Sequence, residues 1–221
     1  PSHSPVASRR RFVQGLAAGG VLGALALPPS AFGQARASRP AATPELRGTT
    51  FNLDIAPLPV NFTGASRMAA AINGSIPAPT LRWKEGETVT INVTNHLSET
   101  TSIHWHGLLL PYTMDGVPGL SFPGIKPGET FQYRFKVRQS GTYWYHSHSG
   151  FQEMKGMYGA IIIDPAEPDM IKADREHVML FSEWTDEDPH YVFQKLKTMG
   201  HLYNFNQPTF PGLLEDVANH G

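Results

Sequence analysis

Residues 87–95 read ETVTINVTN, with Val89, Ile91 and Val93 apolar and polar residues between them. A repeat of two marks a strand with one face in a core and the other outside it. Similar short runs recur along the chain: TFNLDI (50–55) before the proline-broken APLPV, RMAAAI (67–72) before the turn sequence NGSIPAP, SIHWHGLLL (102–110), PGETFQYRFKVR (127–138), GTYWYHSHS (141–149) and YGAIIIDP (158–165). Gly, Pro, Asn and Ser separate these runs at the spacing of a sandwich or barrel, and no helical periodicity interrupts them. The pattern predicts one antiparallel all-β domain over residues 49–166. Residues 177–207 open as a further strand, HVMLF, and continue into a short helical or irregular stretch around Tyr191–Thr198. The 45 residues from 177 to 221 are too few for a second sandwich of about 100 residues. The expectation is therefore an N-terminal portion of a longer protein, with residues 167–221 beginning a second domain.

The first 37 residues have a different character. Arg9-Arg10-Arg11 precede an apolar stretch from Leu16 to Leu27, and Ala35-Arg36-Ala37 supplies small residues for cleavage. An apolar core of about a dozen residues is too short to span about 30 Å of hydrocarbon as a helix. Ser8-Arg9-Arg10-Arg11-Phe12-Val13 resembles the bacterial twin-arginine signal, which implies the corresponding export machinery as a partner. Residues 1–37 are thus expected to be a removable signal peptide and 38–48 a Pro/Ala/Arg linker. The folded part then faces the periplasm or the outside, with no permanent membrane anchor.

Composition narrows the chemistry. The chain has 40% hydrophobic and 17% charged residues and a formal net charge of −1, so it lacks the basic footprint of a nucleic-acid binder. The segment 1–37 holds four of the 18 basic residues and no acid, leaving 14 against 19 in the remainder, a net charge of −5. Cysteine is absent, which excludes disulfides and thiolate metal sites. Six of the ten histidines (His3, His96, His177, His190, His201 and His220) stand outside any pair.

The other four form two His-x-His pairs, His104/His106 and His146/His148. Alternate residues of a strand share a face about 6.5–7 Å apart, so each pair aims two imidazoles the same way. On neighbouring strands, four imidazoles converge, a nitrogen-rich donor set that suits copper, zinc or iron. A hydrolytic zinc centre wants a carboxylate base near the ligands, and Asp115 lies eleven residues past His104. Trp105, Trp144 and Tyr143 read as core packing. Met114, Met154, Met157 and Met199 are either soft ligands for Cu(I) or fillers of the core.

HWHG and YHSH resemble the first two copper motifs of the multicopper oxidases. The surrounding sequences NGSIPAPTLRWKEGETVTINVTN, MDGVPGLSFPGIKPGETFQYRF, QSGTYWYHSHSGFQEMKGMYGAIIIDP and SEWTDEDPH are similar to the copper-resistance protein A branch of that family, over about Asn73 to Asn206. The resemblance implies a cupredoxin-like Greek-key β-sandwich and the start of a second one. It implies that His104 binds a type 2 copper, that His106, His146 and His148 bind a type 3 pair, and that Asp115 assists proton delivery. It further implies a periplasmic oxidase coupling oxidation of Cu(I) or phenolic donors to reduction of O2 in copper resistance. Four more histidines and a Cys-bound type 1 copper would come from a C-terminal domain, so this chain alone is expected to be inactive. A copper-sequestering module without redox turnover is the alternative.

Overall fold

The computed structural model describes residues 43–168, 172–204 and 209–220. The expected export signal lies outside the described residues. Among the described residues nine strands form two packed sheets: β1 (Glu45–Arg47), β2 (Thr50–Val60), β3 (Arg67–Ile72), β4 (Ala78–Lys84), β5 (Thr88–Asn95), β6 (His104–His106), β7 (Thr130–Lys136), β8 (Gly141–His146) and β9 (Tyr158–Asp164). One sheet runs β1-β4-β9-β8-β6 and the other β3-β2-β5-β7. The two-sheet all-β architecture is the one expected, but the sheets are mixed. β1 with β4, β2 with β5 and β4 with β9 are parallel pairs. Period-two alternation is the same in either orientation, so hydrophobic pattern alone cannot assign strand direction.

The core follows the alternation. Phe51, Leu53 and Ile55 of β2, Val89, Ile91 and Val93 of β5, and Tyr133 and Phe135 of β7 face Leu81 and Trp83 of β4, Ile161 and Ile163 of β9, Tyr145 of β8 and Trp105 of β6. Its centre is aromatic: the Trp105 ring lies 5.8 Å from Trp83, 5.2 Å from Tyr133 and 5.9 Å from Tyr145. Tyr145 is fully buried, and its hydroxyl donates to the Pro79 carbonyl at 2.6 Å. Its ring lies over Gly159, the residue opposite it in β9, where an added Cβ would come within 2.6 Å of ring carbons.

Prolines mislead the sequence reading twice. β2 continues through Pro57 and Pro59, because over that stretch it pairs with β3 alone, having left β5 at Ile55. A proline is tolerated where no ladder donor is needed on one side. Pro79 sits inside β4 where the register with β9 shifts between Ala78 and Leu81, an irregularity that spares the missing N–H.

Beyond β9, the strand expected from residue 177 does not form; the described residues 172–188 are irregular, with Met179 and Phe181 exposed. They are tied down by side chains: Glu176 meets Arg82 at 2.5 Å, Ser182 accepts from the Tyr158 hydroxyl at 2.8 Å, and Trp184 packs edge-on against Phe62 at 4.9 Å. Helix α1 (Pro189–Thr198) forms where a helical stretch was expected, with the Asp188 side chain capping the His190 N–H at 2.9 Å. Helix α2 (Phe210–His220) follows. No helix among the described residues is long and apolar enough to cross a membrane.

Candidate metal centre

β6 and β8 are antiparallel neighbours at one edge of the five-stranded sheet, with His104 opposite His146, Trp105 opposite Tyr145 and His106 opposite Trp144. Alternation drives Trp105 and Tyr145 into the core and leaves His104, His106, Trp144 and His146 on the outer face. β8 ends at His146, so His148 is not the strand residue that the spacing suggested; it sits in the irregular segment just before the turn that starts at Gly150. That segment nevertheless returns it to the cluster. The His104 ring lies 5.6 Å from His106, 5.4 Å from His146 and 5.3 Å from His148. His146 lies 5.5 Å from His106 and 5.7 Å from His148. His146 is buried, His104 half-buried, and His106 and His148 are exposed, so the cluster opens outward.

Hydrogen bonds select which ring nitrogens carry lone pairs. His104 Nδ1 donates to the Asp115 carbonyl at 2.8 Å, and His146 Nδ1 to the Ser147 carbonyl at 2.9 Å. Both Nε2 atoms are thereby left as acceptors, available to a metal. His106 Nδ1 stands 3.3 Å from His146 Nε2. Two imidazole nitrogens held at 2.0–2.1 Å on one tetrahedral ion are about 3.3 Å apart, so this pair has the spacing of two ligands sharing one ion. Candidate ligand atoms of His104, His106 and His146 all fall within 4.8 Å of one another.

Burial lowers the His146 pKa to about 4, opposed by the bond to Ser147 and helped by the other three imidazoles. A ligand must be neutral to offer its lone pair, and His146 stays neutral far below neutral pH. Two carboxylates stand behind the rings rather than among the free nitrogens. Asp115 Oδ1 is 3.5 Å from His104 Nδ1, and Glu153 Oε2 is 2.9 Å from His146 Nδ1. Burial raises the Glu153 pKa, with His148 and His106 pulling the other way.

Asp115 reaches His104 through its main chain because Gly116 lets the backbone close in. A Cβ at Gly116 would fall 1.8 Å from the Ile103 carbonyl oxygen, and its φ of +76° is a left-handed conformation.

Sequence reasoning misassigned Trp144. It shares the face of His146, stacking on that ring at 4.1 Å and 15° and lying 4.9 Å from His106. The same period-two rule that groups the histidines places Trp144 with them, so the signal was present. Trp105 and Tyr143 do pack with the core. Glu153 was missed because nothing in local spacing marks a residue that returns from a turn. Met157 is wholly buried in the core and Met114 Sδ accepts the Arg134 N–H at 3.4 Å. Both act as packing residues.

A purely imidazole donor set without thiolate fits copper in either common oxidation state. Comparison with known proteins points the same way. A family model described as multicopper oxidase matches residues 54–168. Copper resistance protein A of Escherichia coli is 54% identical over 97% of this chain and 35% of its own length. The protein of that name from Pseudomonas syringae pv. tomato is 55% identical over the same shares. The chain thus spans about a third of the length of these curated relatives. Among solved structures, a multi-copper oxidase from Pseudomonas thermotolerans superposes with a TM-score of 0.54 at 34% identity, over 58% of this chain and 32% of that one. A blue copper oxidase from Nitrosomonas europaea gives 0.52 at 37% identity, over 57% and 41%. The cupredoxin-like sandwich, its paired histidine motifs and the match over residues 54–168 together establish that this chain belongs to the multicopper oxidase family.

Proposed function

We propose that this chain is the N-terminal part of a periplasmic oxidase that couples oxidation of Cu(I), or of phenolic donors, to reduction of O2 to water in copper resistance. One observation carries the proposal: four imidazoles gather on one outward face, with His106 Nδ1 and His146 Nε2 3.3 Å apart and two of the rings exposed. An exposed half-set of ligands is what one side of a centre shared with another domain requires. In this reading His104 serves a type 2 copper, while His106, His146 and His148 serve a type 3 pair. Residues 1–37 are a twin-arginine signal peptide, and residues 167–221 begin a second cupredoxin-like domain. A type 1 copper and four further histidines belong to a C-terminal domain, for which the greater length of the relatives leaves room.

Bound copper would relay the donor's electrons to dioxygen, whose reduction to water takes four electrons and four protons. The chain's own residues do the rest. The Asp115 and Ser147 carbonyls hold protons on Nδ1 and so keep Nε2 of His104 and His146 free. Trp144 covers one face of His146 and limits water there. In this reading the Asp115 carboxylate, 3.5 Å from His104 Nδ1, assists proton delivery to the centre.

Oxygen uptake by this chain with Cu(I) or a phenol is the test. No turnover is expected from half a centre; clear turnover would refute the division of ligands between domains. The match to a family model described as multicopper oxidase favours the oxidase over a sequestering module.

A further inference from the structure

The ladder that fixes His104, His106 and His146 stops short of His148. Something else must place that ring 5.3 Å from His104. A polar network does so. The His148 N–H donates to Ser102 Oγ at 3.0 Å, and Ser102 Oγ meets Ser149 Oγ at 2.9 Å. The Ser149 N–H donates to Ser147 Oγ at 3.0 Å, and the Ser147 hydroxyl donates to Gln152 Oε1 at 2.9 Å. The same Oε1 accepts from the Thr101 hydroxyl at 2.6 Å, while Gln152 Nε2 donates to the Thr100 carbonyl at 3.0 Å.

Gln152 is the hub of this network. It is only 3% exposed, yet both acceptor positions of its oxygen are used and its amide nitrogen is engaged. A flipped amide would set Oε1 against the Thr100 carbonyl, so one orientation is enforced. Its partners are Ser147, between the two histidines of the second pair, and Thr100 and Thr101, which lead into His104. The segment that carries His148 is therefore tied to residues 100–102 through one buried amide.

We propose that Gln152 is a positioning residue of the metal centre, clamping residues 147–152 onto residues 100–102 and thereby setting His148 against the other three imidazoles. This rests on the reading that the four imidazoles hold copper. A residue that acts only through His148 has a distinctive signature in a double-mutant cycle.

The experiment is a Cu(II) titration of the whole chain and of three variants: Gln152→Met, His148→Ala and the double substitution. Thermal unfolding is followed in parallel. Gln152→Met is expected to weaken binding about tenfold, the lower end for loss of an outer partner of a ligand. In the His148→Ala background the same substitution should change affinity less than about twofold, the resolution of such a cycle. An equal loss in both backgrounds, or none in either, overturns the clamp. If Gln152→Met fails to fold, Ser102→Ala in the same cycle decides, since it removes the acceptor of the His148 N–H. Absence of copper binding by the unsubstituted chain would overturn the copper reading and the clamp together, whereas normal binding with a failed cycle overturns the clamp alone.

Discussion

Gly116→Ala tests how the sandwich delivers a carbonyl to His104. At φ +76° an L side chain costs about 1–2 kcal/mol in backbone strain. The new Cβ would also stand 1.8 Å from the Ile103 carbonyl oxygen, which forces residues 103 and 116 apart by more than 1 Å, and such overpacking costs about 1–3 kcal/mol. Gly128 supplies the control, because it has φ +77° with nothing within 4 Å of an added Cβ. Gly128→Ala should therefore lose only the strain contribution, and Gly116→Ala about 2 kcal/mol more. Urea unfolding of the copper-free chain measures that difference. Separating residue 116 from Ile103 also draws the Asp115 carbonyl from His104 Nδ1, now 2.8 Å away, and should weaken copper binding about tenfold or more. Gly128→Ala should bind copper normally. Equal stability losses in the two variants, with unchanged copper affinity in both, would refute the argument.

Further outcomes follow from the same geometry. His146 titrates at about 4 when folded against 6.5 when unfolded, so between those values the unfolded chain binds more protons. Stability of the copper-free protein should fall as pH drops from 6.5 to 4, by about 3 kcal/mol, and level off below; unfolding of the chain and of His146→Gln across that range isolates the effect, and a constant difference between them would contradict it. Tyr145→Phe leaves the buried Pro79 carbonyl without its 2.6 Å donor and should cost about 1–2 kcal/mol by urea unfolding.

The sequence made the chemistry more legible than the scaffold. Paired His-x-His runs bring their own geometry, because alternation is a property of any strand, and His104, His106 and His146 share a face for that reason alone. His148 joins them through Ser102 and Gln152, contacts between residues about fifty apart that no local pattern encodes. β1 lay within the expected linker, since three residues become a strand only by pairing with β4. β4 was hidden by Pro79, which a register shift accommodates. The apolar run HVMLF read as a strand, yet Phe181 is 86% exposed and no ladder forms there. Strand propensity alone does not make a strand: without a ladder partner the segment stays irregular and is held by its side chains.

The most direct test of the central claim is pulsed EPR of the Cu(II)-loaded chain, which detects the remote nitrogens of coordinated imidazole. The convergence of His104, His106 and His146 within 4.8 Å predicts coupling to more than one imidazole, reduced by His104→Ala and again by His146→Ala. A spectrum unchanged by both substitutions would place the copper elsewhere and contradict the account.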